Sequence, residues 1–370
     1  MSAVPLARRQ LLSEPLKLVL ALLGVAVCVA LVGLLFGLRE GIGRQVTTYP
    51  DHAGADLYVA SGGTRNFLSA SSSSLPVALA PRLRRRAGGA QVEPITAWFD
   101  VVPMHGMKIV VEHIGFEPGR LGGPWSMLEG HPPSRPDQVA IDRVMAEQHG
   151  IGLGDRLRLA GRSLRVVGLA DHTASWMAPI VFTTRAAAAA MRRLPHAATF
   201  FLVRGGRLAP EALRNRLAAA FPRLSVMTRQ RIAADDRTLM ASSFDSTLLL
   251  MVLTALGVGA VVIGITVYGF VAERRREFGT LKAMGARNRR LYWLVSRQAL
   301  AIALVGLGAG ILVQRVTGDA IVALSPKFLF VYLPWHLALM VVAAFAMALL
   351  GALAPVRVLA RLDPAEVFRR

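Results

Sequence analysis

The sequence predicts a membrane protein with four transmembrane helices and one large α+β extracytoplasmic domain between the first two helices. Of its 370 residues, 54% are hydrophobic, and the excess lies in four long apolar runs. A helix rises about 1.5 Å per residue, so about 20 apolar residues cross the ~30 Å hydrocarbon layer. The roughly 200 residues between the first and second runs have a mixed composition and are enough to bury a core of their own.

The apolar runs define the predicted transmembrane segments, which are 18–38 (TM1), 247–272 (TM2), 291–313 (TM3) and 337–356 (TM4). TM1 is longer than the apolar region of a signal peptide, which has about 7–15 residues. Arg297 interrupts TM3 near its start, where a long side chain can still reach the headgroups. Trp293 lies at the start of TM3 and Trp335 lies just before TM4. Aromatic residues are typical of these positions at the membrane interface.

Basic residues in the short loops predict the orientation in the cell membrane. The TM2–TM3 loop, 273–290, holds Arg274, Arg275, Arg276, Lys282, Arg287, Arg289 and Arg290. The TM3–TM4 loop, 314–336, holds only Arg315 and Lys327. Because short basic loops stay in the cytoplasm, we expect 273–290 and both tails, 1–17 and 357–370, inside. Residues 39–245 and 314–336 are then outside.

Several function classes are disfavoured by the sequence. A net charge of +20 could suggest nucleic acid. However, the basic residues concentrate at membrane borders and over the outer domain, without an aromatic-basic recognition motif, so anionic lipid headgroups explain them better. The chain has no Gly-Lys pair for a phosphate-binding loop, no H-E-x-x-H and a single cysteine, Cys28, so we expect no nucleotide, metal or disulfide. The G-x-G-D stretch at Gly152 predicts a tight turn in the outer domain.

The outer domain reads as alternating strands and helices. Strands are expected at Ala55–Ala60, Val92–Val102 and Lys108–Phe116, and a hairpin at Arg156–Leu159 with Ser163–Leu169. Helices are expected from a Thr184 cap through Arg193, at Pro210–Phe221, and at Ala233–Ser246 leading into TM2. The serine-rich stretch Ser69–Ser74 is expected to be a mobile loop.

Small residues predict close helix packing. Gly33 and Gly37 in TM1, and Gly306 and Gly310 in TM3, have the G-x-x-x-G spacing that lets helices approach closely. The spacing leaves open whether the partner helix belongs to the same chain or to a second one. The spans lack Asp, Glu and Lys in mid-membrane, which disfavours a channel for polar molecules within this chain.

The TM2–TM3 loop carries an apolar stripe as well as its arginines. Phe278, Leu281 and Met284 recur at helical spacing, and Gly285 can end the helix. A basic loop that only fixes topology explains the arginines. It does not explain an apolar stripe on a short helix outside the membrane, which favours docking of a partner protein.

This loop resembles the signature that follows TM2 in ABC transporter permeases of the MacB/FtsX/LolC type. The matching residues are Glu277-Phe278-Gly279-Thr280-Leu281-Lys282-Ala283-Met284-Gly285. The tail from Arg357 to Arg369, with Asp363-Pro364, and outer-domain stretches at Gly130–Pro133, Gln138–Gly150, Gly152–Asp155 and Val166–Gly168 are also similar to that family. The resemblance covers essentially the whole chain. An acidic residue that many members of this family have near the start of TM3 is missing from Val295–Leu300. Together with the stretches L-K-A-M-G and D-P-A-E-V-F, this makes the chain most similar to the DevC-like branch.

The resemblance implies a non-catalytic permease subunit that works by mechanotransmission. Two permease chains would pair as a homodimer or heterodimer, and separate ATPase subunits would bind ATP and Mg²⁺. The outer domain would export or extract a lipid, lipoprotein or amphipathic substrate, with a membrane-fusion adaptor in DevC-like systems. The implied ATPase-coupling residues are Arg274, Arg275, Arg276, Glu277, Phe278, Leu281, Lys282, Met284 and Gly285.

Two other functions remain as alternatives to transport. An FtsX-like signalling or scaffold subunit would control an extracytoplasmic partner such as a cell-wall hydrolase. A membrane-bound enzyme is disfavoured by the missing catalytic motifs.

Two cysteine variants test the predicted orientation. In a Cys28→Ala background, Ser72→Cys lies in the predicted outer domain and Asn288→Cys lies in the TM2–TM3 loop. A membrane-impermeant thiol reagent added to intact cells should label position 72 and spare position 288 until the membrane is opened. Labelling at 288 with none at 72 would invert the orientation.

Overall fold

The computed structural model describes residues 15–104, 107–175, 178–206, 208–284, 287–325 and 328–360. The described chain has ten α-helices: α1 Pro15–Gln45, α2 Thr48–His52, α3 Ala80–Ala87, α4 Arg143–His149, α5 Arg185–Arg192, α6 Pro210–Ala220, α7 Arg229–Glu273, α8 Arg275–Ala283, α9 Asn288–Leu324 and α10 Pro334–Ala360. Its strands are β1 Leu57–Ser61, β2 Leu75–Pro76, β3 Gln91–Met104, β4 Met107–Phe116, β5 Met127–Gly130, β6 Gln138–Asp142, β7 Arg156–Leu159, β8 Arg162–Ala170, β9 Ile180–Thr184, β10 Ala197–Ala198, β11 Phe200–Arg204 and β12 Leu224–Thr228.

The chain forms two compact units. Ile42–Ser243 builds an α+β unit, and the segments on either side of it build a helical unit. Most of the N-terminal tail, and the C-terminal motif from Asp363 onward, lie outside the described residues.

In the part of the chain that the structure describes, four helices are long and apolar enough to cross a membrane, namely α1, α7, α9 and α10, as the sequence predicts. Each continues past its predicted apolar run, so that α1 extends to Gln45 and α9 to Leu324. Apolar composition marks where a helix meets lipid, whereas its backbone hydrogen bonds continue into the flanking polar residues. The predicted span boundaries therefore underestimate the helix lengths.

Glycines bring α1 and α9 into close contact. A methyl group added at Gly306 would lie 2.6 Å from Val25 Cγ1, and one added at Gly310 would lie 2.8 Å from the Ala26 carbonyl oxygen. At Gly33 the added carbon would lie 2.5 Å from Gln314 Oε1. Real side chains do not approach this closely, so Gly306 and Gly310 serve packing within one chain, whereas the flexible end of Gln314 could move away from a side chain at Gly33.

Gly37 has a different environment. Its carbonyl accepts a hydrogen bond of 3.1 Å from the Val331 amide, in the segment that precedes α10. An added methyl group would make ordinary contact with the Val331 oxygen at 3.5 Å. Within this chain, Gly37 therefore lies against an irregular backbone segment and not against a helix.

The α+β unit is built on a ten-stranded sheet. Its order is β12-β1-β11-β3-β4-β9-β6-β8-β5, with β7 paired to β8. The pairs β4–β9 and β6–β8 are parallel and the other pairs are antiparallel. The predicted hairpin is confirmed as β7 and β8, and the predicted cap is confirmed by Thr184 Oγ1, which accepts a hydrogen bond from the Ala187 amide at 3.3 Å.

The serine-rich segment is held in the fold, contrary to the expectation of a mobile loop. Ala70–Ser72 forms one turn of 3-10 helix, and Ser73 is buried. The Ser73 hydroxyl donates to the Thr199 carbonyl oxygen at 2.6 Å and accepts from the Ser61 amide at 3.1 Å. A small hydroxyl with both hydrogen-bonding roles satisfied can be buried at little cost.

Glu112 and Asp236 are among the buried carboxyl groups of the α+β unit. Glu112 on β4 is only 3% exposed, and Asp236 is fully buried. Asp236 Oδ1 accepts hydrogen bonds from the Phe67 and Leu68 amides at 2.9 and 3.0 Å. Burial raises the pKa of Glu112 to about 8, and the neighbouring Asp236 charge adds to this rise.

The raised pKa of Glu112 predicts a pH-dependent stability. Below its ordinary pKa of 4.5, the carboxyl is protonated in folded and unfolded chains alike. Between 4.5 and about 8 the folded chain holds the extra proton, so the free energy of unfolding should fall as pH rises. Glu112 alone contributes a slope of at most about 1.4 kcal/mol per pH unit, and Asp236, whose pKa burial raises to about 7, adds to it.

Thermal unfolding of the full chain between pH 5 and pH 8 measures this dependence. Glu112→Gln should flatten the fall in stability, while Glu129→Gln, at an exposed position on β5, should leave it in place. Equal pH profiles for wild type and Glu112→Gln would contradict the assignment.

Candidate functional site

The candidate coupling segment is α8, a helix of nine residues between α7 and α9. Arg274 interrupts the helical backbone with φ −109° and ψ 21°, so the chain changes direction before α8 begins. Glu277 lies in the first turn, where a negative charge stabilises the helix N-terminus. Its carboxylate lies 3.4 Å from the Arg274 guanidinium.

Phe278 points into the protein. It is 4% exposed and belongs to the same buried cluster as Ala21 and Val25 of α1 and Leu291 and Val295 of α9. The expectation that Phe278 and Leu281 bury together in a partner protein is therefore wrong for Phe278. Helical spacing places both residues near one face, but the chain's own helices already cover Phe278.

The outward side of α8 carries the remaining apolar residues. Leu281 is 38% exposed and Met284, just after the helix, is 76% exposed. Arg276 and Glu277 are exposed beside them. A flexible thioether next to a leucine is adaptable apolar surface of the kind found at binding interfaces.

Lys282 ties α8 to the end of another helix. Its ammonium nitrogen donates to the Ala360 carbonyl oxygen at 3.1 Å. A cation at the C-terminal carbonyls of α10 is favoured by the helix dipole. Together with Phe278, this contact fixes α8 to the helical unit at two points. Of the other predicted coupling residues, Gly285 and the side chain of Arg275 lie outside the described residues.

Sequence reasoning missed an ion pair between α1 and α7. Arg39 Nε and Nη2 lie 2.7 and 3.1 Å from the two carboxylate oxygens of Asp245, so the pair is bidentate. A signal was present, since opposite charges directly follow TM1 and directly precede TM2. Beside the pair lies a groove of about 410 Å³ lined by Leu35, Phe36, Leu248, Leu249 and Val252.

The contacts of α8 favour a binding surface over a metal site in the helical unit. Within the described ranges, no group of three or more His, Cys, Asp or Glu side chains is placed to hold a metal ion. The geometry offers instead a short helix that is pinned to the unit on one side and presents Leu281 and Met284 on the other.

Comparison with solved structures gives similarity to two outer domains. The periplasmic region of MacB from Actinobacillus actinomycetemcomitans matches 49% of this chain and 92% of that chain, with 13% identity and a TM-score of 0.37. The extracellular domain of the noncanonic ABC-type transporter YknZ from Gram-positive bacteria matches 46% of this chain and 99% of that chain, with 13% identity and a TM-score of 0.35.

Curated relatives cover nearly the whole chain. An uncharacterized ABC transporter permease of Mycobacterium bovis is 26% identical over 357 residues, which are 95% of each chain. A second one, of Mycobacterium tuberculosis, is 27% identical over 358 residues and again covers 95% of each chain.

Family profiles divide the chain into two parts. Residues 18–224 match the MacB-like periplasmic core domain, and residues 249–364 match the FtsX-like permease C-terminal family. Together they confirm the resemblance that the loop after TM2 carries. The chain is therefore a multi-pass membrane protein with a large extracellular-type domain, and it belongs to the ABC transporter permeases of the MacB/FtsX type.

Proposed function

We propose that this permease couples ATP hydrolysis in a separate ATPase subunit to export or extraction of a lipid, lipoprotein or other amphipathic substrate by mechanotransmission. The ATPase would bind ATP and Mg²⁺, and both termini of the permease would be cytoplasmic. The membership of an ABC permease family supports an ATPase partner.

The arrangement of α8 carries the proposal. Leu281 and Met284 are exposed on a helix that Phe278 and Lys282 hold to the helical unit. An ATPase that binds the exposed side would pull on a rigid attachment and not on a loose loop. Its motion would pass to α1 and α9 through the cluster around Phe278.

Close contacts can carry this motion onward. A methyl group added at Gly351 of α10 would lie 2.7 Å from the Ala260 oxygen of α7, so these two helices also approach closely. The Arg39–Asp245 pair then joins α7 to α1. Tightly packed helices move as bodies because their interfaces do not deform continuously.

Further partners are part of the proposal. Leu249, Leu250 and Ile265 of α7 are all well exposed in the single chain. A second permease chain would cover some of this apolar surface, and lipid would cover the rest. A membrane-fusion adaptor, as in DevC-like systems, would act on the extracytoplasmic side.

The two sides of α8 should respond differently to mutation. Leu281→Ala with Met284→Ala should weaken ATPase binding roughly 30-fold, since interface anchors often contribute about 2 kcal/mol. Phe278→Ala should instead lower the thermal stability of the permease itself, because truncation of a buried Phe costs about 3–5 kcal/mol. Co-purification of the ATPase and thermal unfolding measure the two effects.

A matched variant controls for lost apolar surface. Leu312→Ala with Val316→Ala removes exposed apolar groups from α9, well away from α8 in sequence, and should retain the ATPase. Undiminished ATPase recovery with the Leu281/Met284 variant would contradict the coupling role of α8.

A further inference from the structure

A stripe of cationic and aromatic side chains runs along the first three turns of α9. Arg289, Arg290, Trp293 and Arg297 recur at spacings of three and four, which place them on one side of the helix. We call these four residues the basic stripe. The opposite side of the same turns, with Leu291, Val295 and Ala299, is buried in the helical unit.

Trp293 and Arg297 are held against each other. The Arg297 guanidinium carbon lies 4.4 Å from the centre of the Trp293 ring, over its face. Trp293 is nevertheless 54% exposed. Stacking orients the guanidinium plane and leaves its outer N–H groups available, which favours recognition of an anion with several oxygen atoms.

Within the part of the chain that the structure describes, no carboxylate neutralises these charges. Arg289, Arg290 and Arg297 form no ion pair with a described acidic residue, in contrast to Arg274, which pairs with Glu277. A shallow groove of about 480 Å³ lies between Arg287, Arg289, Arg290 and Trp293. Its lining is cationic and aromatic, so an anion with an apolar neighbouring part fits it.

The stripe covers the depth of a lipid headgroup region. Arg297 lies seven positions after Arg290, which corresponds to about 10 Å along the helix axis. Beyond Arg297 the same side of α9 becomes apolar, with Leu304 exposed and no side chain at Gly308. A cationic segment followed by an apolar segment is complementary to an amphiphile that has an anionic head and an apolar tail.

We propose that the basic stripe binds the phosphate headgroup of an anionic phospholipid in the leaflet where α9 begins. The guanidinium groups of Arg289, Arg290 and Arg297 would donate hydrogen bonds to the phosphate oxygens. The Trp293 ring would lie at the level of the glycerol, and an acyl chain would follow Leu304 past Gly308. Such a bound lipid fixes the depth of α9, and therefore of the cluster that holds Phe278.

An acidic surface of a partner protein is the competing occupant of this site. Such a surface could reach Arg287 and Arg289 at the start of α9. It would have to enter the bilayer to reach Arg297, about 12 Å beyond Arg289 along the helix. The exposed Trp293 ring between them also suits the membrane interface. These features favour the lipid.

Lipid titration of the purified, delipidated full chain tests the proposal. Native mass spectrometry should show tighter binding of phosphatidylglycerol than of phosphatidylcholine with the same acyl chains. Each basic residue near a membrane surface strengthens anionic-lipid binding about fivefold, so Arg290→Gln with Arg297→Gln should weaken phosphatidylglycerol binding about 30-fold. Phosphatidylcholine, whose cationic choline offsets the phosphate charge, should lose much less binding, and an unchanged thermal unfolding temperature would show that the variant is folded.

A matched variant separates the stripe from the general charge of the loop. Arg274→Gln with Arg276→Gln removes the same charge from the segment before α9 and should keep the preference for phosphatidylglycerol. Equal loss in both double variants, or no preference in the wild type, would overturn the proposal. If the stripe variant keeps the lipid preference but loses its ATPase, the surface binds a protein and the proposal is likewise overturned.

Fluorescence quenching locates the lipid and distinguishes it from free phosphate. Phosphatidylglycerol with brominated acyl chains should quench the wild type more than Trp293→Phe. Excess inorganic phosphate should leave this difference in place. Loss of the difference in phosphate would mean that the stripe binds the anion alone, and identical quenching of the two proteins would place the lipid elsewhere.

Discussion

The helical unit depends on the close approach of α1 and α9. Gly306 and Gly310 leave no room for a side chain beside Val25 and Ala26, so the two helices meet at backbone distance. This approach creates the buried cluster that extends through Val25, Val295 and Ile302 to Phe278. Without water to drive helix association in a membrane, such packing supplies much of the attraction between helices. The position of α8 is a consequence of it.

The coupling segment shows how a family signature can combine two roles. The signature places Phe278 and Leu281 three residues apart, which suggests one shared surface. In the fold, Phe278 anchors the helix to its own chain, while Leu281 and Met284 remain exposed. A single short motif thus contains a buried anchor and an exposed apolar surface, which under the proposed function would be the attachment to the permease and the contact with the ATPase.

Much of the fold could be predicted because its signals are local. Four apolar runs of sufficient length, the Thr184 cap, and the alternation in β7 and β8 all depend on neighbouring residues. The predictions that failed depend on contacts with residues that are far away in the sequence. The burial of Ser73 needs the Thr199 carbonyl, and the inward direction of Phe278 needs α1 and α9. Periodicity defines a face of a helix but does not identify what covers that face.

The contacts of α1 differ in strength along its length. Around Val25 and Ala26, α1 packs closely against Gly306 and Gly310 of α9. Separating the two helices there would lose many van der Waals contacts between buried apolar atoms. Near its other end α1 meets α7 through Arg39 and Asp245, which are 36% and 49% exposed. A solvent-accessible ion pair of this kind contributes about 0–1 kcal/mol, little more than thermal energy. Salt in the surrounding water therefore screens the attraction at the Arg39 end of α1, whereas the close-packed glycine contacts of the same helix do not depend on salt.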